Sequence, residues 1–305
     1  LAVSTAFNPE TSLTEPDLIF SSSDRVMFYV DMEVIKKASP LAFQSVISAS
    51  PQYDAPHGSM RIILVQEASP VLNVMLHALH GTSCAQNSPT FETLVDAVNH
   101  MPLYNISPAT HITSSSHTYA TLVAYAPHHP LELYTLAGEH RIHELAVTTS
   151  SHLLSYPLAS MSDEIAQRMG TLYLKRLFDL HLDRLSALKE LLLRPPHPHP
   201  PRRDCTFTDQ ASLTRAWAMV SAYLAWEARA DLSTHRIKLT FGPLIEHITC
   251  MLCRECLQAK LQEIVVNWAS VKVNQNTFRS LACVLRRFIV AHHLNHRVVE
   301  FSFFK

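Results

Sequence analysis

The chain has 305 residues, 47% hydrophobic and 17% charged, with a formal net charge of -1. That size and apolar fraction suit one large or two ordinary globular domains able to bury about three quarters of the unfolded surface. A near-neutral charge argues against a general electrostatic grip on nucleic acid, and five glycines without a Gly-x-Gly-x-x-Gly or Gly-Lys-Ser/Thr run argue against a phosphate-cradling nucleotide enzyme.

Residues 1–16 are polar, carry Pro9 and Pro16, and open on Leu1 rather than methionine. They read as a loose N-terminal arm. They lack the basic start and long apolar core of a signal peptide. The next stretch, from Asp17 to Phe43, carries the most information. Leu18, Ile19 and Phe20 form a short apolar run that suits a strand buried on both faces. Ser22, Ser23, Asp24 and Arg25 supply turn chemistry. Phe28 and Val30 alternate with Met27, Tyr29 and Asp31 at the strand period of two. Val34, Ile35 and Ala38 then shift to helical spacing. Ser39-Pro40 reads as a cap and a proline at the first position of a new helix toward Phe43.

This stretch resembles the opening of a BTB/POZ domain, whose signature is Asp-Val/Leu-Ile, a turn, Phe-x-Val-His, a short helix and Ala-Ser-Pro-x-Phe. The matching positions are Asp17, Leu18, Ile19, Phe28, Val30, Ile35, Ala38, Ser39, Pro40 and Phe43. Asp31 stands where the family usually has histidine, and Met32 where it often has lysine. The resemblance covers roughly residues 15–160, and the overall layout is similar to the BTB-containing proteins of mushroom-forming fungi. It implies an α+β fold, a small β-sheet covered by a cluster of α-helices, followed here by a helical C-terminal extension.

Further along, a Pro51- and Pro56-bearing loop spans residues 49–59. Met60, Ile62 and Leu64 read as the inward face of a third strand. Ser69-Pro70 reads as the cap of a helix whose stripe is Val71, Val74, Met75, Ala78 and Leu79, ending at His80-Gly81. The family ends this helix near an aromatic-x-Gly, and His80 in the aromatic's approximate place is a second departure from its pattern. A helix starts at Pro89 or Thr90 and runs through Leu94 and Val98. Residues 103–118, rich in Ser, Thr and His, read as the least regular part of this half. Pro130 to Ala146 reads as two helices joined by a bend at Gly138, the helical hairpin with which the family ends its domain.

From Ser162-Asp163-Glu164 one long helix is expected, with Ile165, Met169, Leu172, Leu177, Leu180, Leu185, Leu188 and Leu192 along one face. Arg194 to Arg203 is proline-rich and reads as a linker. Beyond it come helices at 211–230, 244–271 and 281–293. The resulting division is an arm at 1–16, a BTB/POZ domain at 17–160, a helical extension at 161–193, a linker at 194–204 and a helical region at 205–305.

Cys250, Cys253 and Cys256 are the strongest candidates for site chemistry, because thiolates are good zinc ligands. Cys205, His197, His199 or His247 could complete four ligands. A single cysteine triplet inside an apolar helical run, without two separated Cys-pair knuckles, favours plain packing instead. No metal and no cofactor is therefore expected. His140 and His143 lie three apart with Glu139 and Glu144 outside them, which does not match a His-Glu-x-x-His site, and no Gly-x-Ser-x-Gly elbow occurs. The run Arg286, Arg287, His292, His293 and Arg297 reads as a solvated face, so nucleic acid is not an expected partner.

No catalysis is expected. The resemblance implies a protein-interaction module that homodimerises and recruits partners, among them a cullin-type ubiquitin ligase. The candidate dimer surface is Met32, Val34 and Ile35 on the helix after the second strand. Packing of Met32 and Ile35 within one subunit is the competing reading. A transcription-linked regulator acting through a DNA-binding partner, or a Cys-ligated zinc protein, are the alternatives. No apolar run reaches the roughly 20 residues a bilayer span needs. Cysteine usage fits a reducing intracellular compartment, cytoplasmic or nuclear.

Overall fold

The computed structural model describes residues 2–10, 15–50 and 60–275. Its centre is a four-stranded sheet in the order β1-β3-β2-β4, built from β1 (Ala2–Val3), β2 (Leu18–Ser21), β3 (Val26–Val30) and β4 (Arg61–Leu64). β2 and β3 form an antiparallel hairpin with Phe20 opposite Phe28. β4 lies parallel to β2, with Ile63 beside Phe20. Every residue of β2 is buried, as its unbroken apolar run implies.

Two expectations for the sheet need correction. The segment read as a loose arm is tied down in part. β1 pairs in parallel with β3, the Tyr29 amide donates to the Phe7 carbonyl at 3.0 Å, and the Phe7 ring is buried against Phe28, His77 and His80. One buried aromatic is enough to anchor a short polar segment. The phase of β4 is also reversed. Ile63 and Val65 face the core, while Met60, Ile62 and Leu64 point outward. Both faces of this strand are apolar, so alternation could not choose between them.

The hairpin leads into α1 (Met32–Ala38) and α2 (Gln44–Ala49). Asp31, at the position where the BTB/POZ signature has histidine, caps α1 by accepting from the Glu33 amide at 2.8 Å. Asp17 accepts from the Met32 amide at 2.9 Å. Together they satisfy two of the amides that a helix start leaves unpaired. Ser39-Pro40 does not start a helix. Ser39 closes α1, and α2 begins only after Phe43, which adopts a left-handed conformation (φ 57°). The Phe43 amide donates to the Tyr104 carbonyl, and its ring packs 4.6 Å from Phe20 and 5.0 Å from Tyr104. Burial of that ring accounts for the unusual backbone.

After β4 come α3 (Ser69–His80), α4 (Phe91–His100), α5 (Pro108–His111), α6 (His117–Ala124), α7 (Pro130–Glu139) and α8 (His143–Ser150). Helix α3 ends at Gly81 in the left-handed region, as its sequence predicts. Its cap is not Ser69, however. Asp24, 45 residues earlier, accepts from the Ser69 amide at 2.9 Å and from its hydroxyl at 2.6 Å, which pins the hairpin turn to the helix. Gly138 is not a bend either. It lies inside α7, and a β-carbon there would stand 2.5 Å from the Met169 carbonyl oxygen. Its role is close approach, and the chain turns at Arg141 instead, with φ 58°.

The long helix expected from Ser162 is two. Ser162 caps α9 (Asp163–Met169), and Gly170 separates it from α10 (Thr171–Leu192). Gly170 takes φ 77° and ψ 153°, a region essentially restricted to glycine. Met169, Tyr173 and Leu177 complete the first core, whereas Leu188 and Leu192 belong to a second. The two cores therefore change over within α10, not at the proline-rich stretch.

The second core adds α11 (Phe207–Trp226), α12 (Thr234–His247) and α13 (Met251–Ala269). The helix expected from Leu244 to Val271 is broken at residues 248–250, where Ile248 and Cys250 are extended. Trp217 and Phe241 stack at 4.5 Å in the centre. The indole N–H of Trp217 donates to the Leu192 carbonyl at 3.0 Å and that of Trp268 to Leu232 at 2.7 Å. Arg184 is buried over the Trp268 ring and donates to the carbonyls of Ala230, Val271 and Lys272. Gln275 then returns to the first core, its amide donating to the Ser150 hydroxyl at 3.1 Å. Residues 51–59 and 276–305, which include the expected loop, the last expected helix and the basic run, lie outside the described residues.

Candidate functional site

Two places on the molecule gather the residues that the sequence singles out. The first is the surface around the sheet. Met32 and Ile35 are buried in the subunit's own core, which supports the packing reading for both, and Val34 alone of the three is half-buried. The candidate dimer surface on α1 is thereby reduced to one apolar side chain. Physically, a seven-residue helix packed against α3 spends its apolar stripe on that contact.

A larger apolar surface lies along β4, the edge of the sheet among the described residues, where sequence reasoning did not place one. Ile62 and Leu64 on β4 are 49% and 73% exposed, and Leu103 beside them is 67% exposed. They border a groove of about 850 Å³ that is also lined by Val46, Ala49 and Tyr104. Arg61 donates to the carbonyls of Ile47 and Ser50 at 2.7 and 2.9 Å, closing the last turn of α2, whose C-cap Ser50 also lines the groove. At its base the buried carboxylate of Glu67 accepts from the Tyr104 hydroxyl at 3.0 Å and meets His100 Nδ1 at 2.8 Å. Burial first, and then this carboxylate, push the Tyr104 hydroxyl above its ordinary pKa. The signal in the sequence was the unbroken run Ile62-Ile63-Leu64-Val65, which gives one strand more apolar faces than a core can cover.

The second place is the end of the helical unit. Cys250 is not on a helix face but caps α13, and Cys253 follows in its first turn. Opposite them stands the proline-rich stretch, which is not a free linker because Pro196 and His199 are buried in it. His199 Nε2 lies 3.3 Å from both Cys250 Sγ and Cys253 Sγ. Cys205 Sγ lies 3.6 Å from Cys253 Sγ. All four ligand atoms fall within 4.8 Å of one another. Cys256, His197 and His247 are outside the group.

Local structure explains the convergence. Arg202 and Cys205 exchange backbone hydrogen bonds of 2.9 and 3.2 Å, a tight turn that throws the Cys205 side chain inward. The amide of buried Gln210 donates to the His199 carbonyl at 2.8 Å. His199 Nδ1 is 2.7 Å from the Pro200 carbonyl, which only accepts, so Nδ1 carries the proton and the Nε2 lone pair faces the thiols. The Cys253 backbone N–H at the open end of α13 draws the Cys250 thiol down to about 7, and burial pushes Cys253 up to about 12.

His140 and His143 are not brought together. His140 Nε2 meets Asn99 Oδ1 at 2.8 Å, and His143 Nδ1 accepts from Arg176 at 3.0 Å. Among the described residues no helix is long and apolar enough to cross a membrane. Comparison of the chain with family models, curated proteins and solved structures finds no match to any of them.

Proposed function

We propose that the chain is a protein-interaction module with no chemistry of its own, whose N-terminal unit is a BTB/POZ-type domain that self-associates and recruits a protein partner, a cullin-type ligase scaffold among the candidates. The observation that carries this reading is the exposed apolar border of Ile62, Leu64 and Leu103 at a sheet edge that no other described strand pairs with. Soluble chains seldom leave such a patch bare unless it meets another protein. Support for the family comes from the order strand, strand, helix, helix, strand, helix around residues 18–80 and from the buried Phe28 and Phe43 of its signature.

Sedimentation of the full chain tests the proposal. A dimer is expected at micromolar concentration. Leu64→Asp should return it to monomer if β4 supplies the interface, and Val34→Asp should do so if α1 does. Both side chains are at least partly accessible, so neither change should unfold the chain. A wild type that stays monomeric at high micromolar concentration would count against self-association.

A further inference from the structure

The four converging groups at the end of the helical unit have a geometry that packing does not explain. We propose that His199, Cys205, Cys250 and Cys253 form a closed tetrahedral site for one zinc ion, which staples the proline-rich segment to the start of α13.

Three of the six separations lie close to the edges of a coordination tetrahedron, and all six are within 4.8 Å. Zinc–sulfur bonds of about 2.3 Å and zinc–nitrogen bonds of about 2.0–2.1 Å imply edges of roughly 3.8 Å between sulfurs and roughly 3.6 Å between sulfur and nitrogen. The observed Cys205–Cys253 separation of 3.6 Å and the two His199–Cys separations of 3.3 Å lie close to those edges. The sulfur pair is well beyond the roughly 2.05 Å of a disulfide.

The sequence has the two-part form that zinc sites favour. His199 and Cys205 flank one tight turn, and Cys250 and Cys253 sit three apart at a helix start. Cys205 and His199 stood among the possible partners of Cys250 and Cys253, but His199 lies in a stretch that looks like a linker.

The surroundings match a ligand set as well. The Pro200 carbonyl fixes the imidazole tautomer, and Gln210 holds the backbone of the same residue. Outer partners of this kind orient metal-bound histidines. Cys205, Cys253 and His199 are buried, and Cys250 is partly so. Four protein ligands leave no open position, so the site is structural rather than catalytic.

Elemental analysis of the full chain, purified under reducing conditions without chelator, tests this directly. One zinc per chain is expected, with cobalt replacing it to give thiolate-to-metal charge-transfer absorption and the strong visible bands of a tetrahedral site. His199→Ala, Cys205→Ala and Cys253→Ala should each lose the metal, while Cys256→Ala and Cys84→Ala should keep it. Should the ligand variants fail to fold, the cobalt spectrum of the wild type still decides. Reduced wild-type protein that takes up neither ion would overturn the site. So would a Cys205–Cys253 disulfide in protein trapped at harvest, or full metal content in Cys205→Ala.

Discussion

His77 shows how one side chain ties the N-terminal segment to acid stability. Its ring lies on α3 under Phe7, 4.9 Å away, with Nδ1 2.7 Å from the Thr82 hydroxyl and Nε2 buried without a hydrogen-bond partner among the described residues. Burial, and then the neighbouring His80, depress it to about 4 from 6.5. The unfolded chain therefore takes up a proton near pH 6.5, and the folded chain only near pH 4. Between those values each proton bound favours unfolding, so stability is full above the unfolded pKa and falls as pH drops through this window. At about 1.4 kcal/mol per unit the loss approaches about 3 kcal/mol. In urea melts at pH about 7 and about 4.5, His77→Gln should lose about 2–3 kcal/mol less than the wild type over the same step. Equal losses in the two proteins would refute this. Asp24 works in the same sense on the same helix, but further into acid. Burial alone would raise it, but hydrogen bonds from Ser22 and Ser69 outweigh burial and hold it below the ordinary carboxylate value. Its capping contribution is thus present at neutral pH and is lost only in stronger acid.

At the scale of elements, Gly138 separates two explanations of the same residue. In an open helix a glycine-to-alanine change gains about 1 kcal/mol. Here the added carbon would meet the Met169 carbonyl, where α7 and α9 touch, and backbone atoms cannot swing aside. Gly138→Ala should therefore destabilise by about 1–3 kcal/mol in thermal melts, and any stabilisation would show that the helices part easily. The sequence made such elements visible without making their joints visible. Helices α4 and α9 start where their caps put them, and α3 ends at its glycine, because those signals are local. The breaks at Gly170 and at residues 248–250 were hidden, since the apolar stripe continues through both with little change of phase. The orientation of β4 was hidden because both its faces are apolar. The ligand group was half legible. Cys250 and Cys253 stood out, but His199 was only one of three histidines that could join them. A fold that turns a proline-rich stretch inward was needed to choose it.

For the whole molecule, the decisive feature is that two cores share one helix. Tyr173 and Leu177 of α10 fill the first core, and the Tyr134 hydroxyl donates to the Tyr173 carbonyl at 2.9 Å. Leu188 and Leu192 fill the second. A fragment cut after residue 160, the boundary the sequence suggests, lacks Met169, Tyr173 and Leu177. It should unfold at a lower urea concentration than one cut after residue 182, and identical midpoints would show that the first core ends earlier. Arg184 sits just past that second cut, gathering three carbonyls at the near end of the second core. In mechanical terms α10 is an axle. Its 22 residues make a rod of about 33 Å. A tilt of about 10° at one end would carry the other end about 6 Å. Neither bundle can be displaced without swinging the other, so a load applied at the sheet edge is felt at the far cysteines.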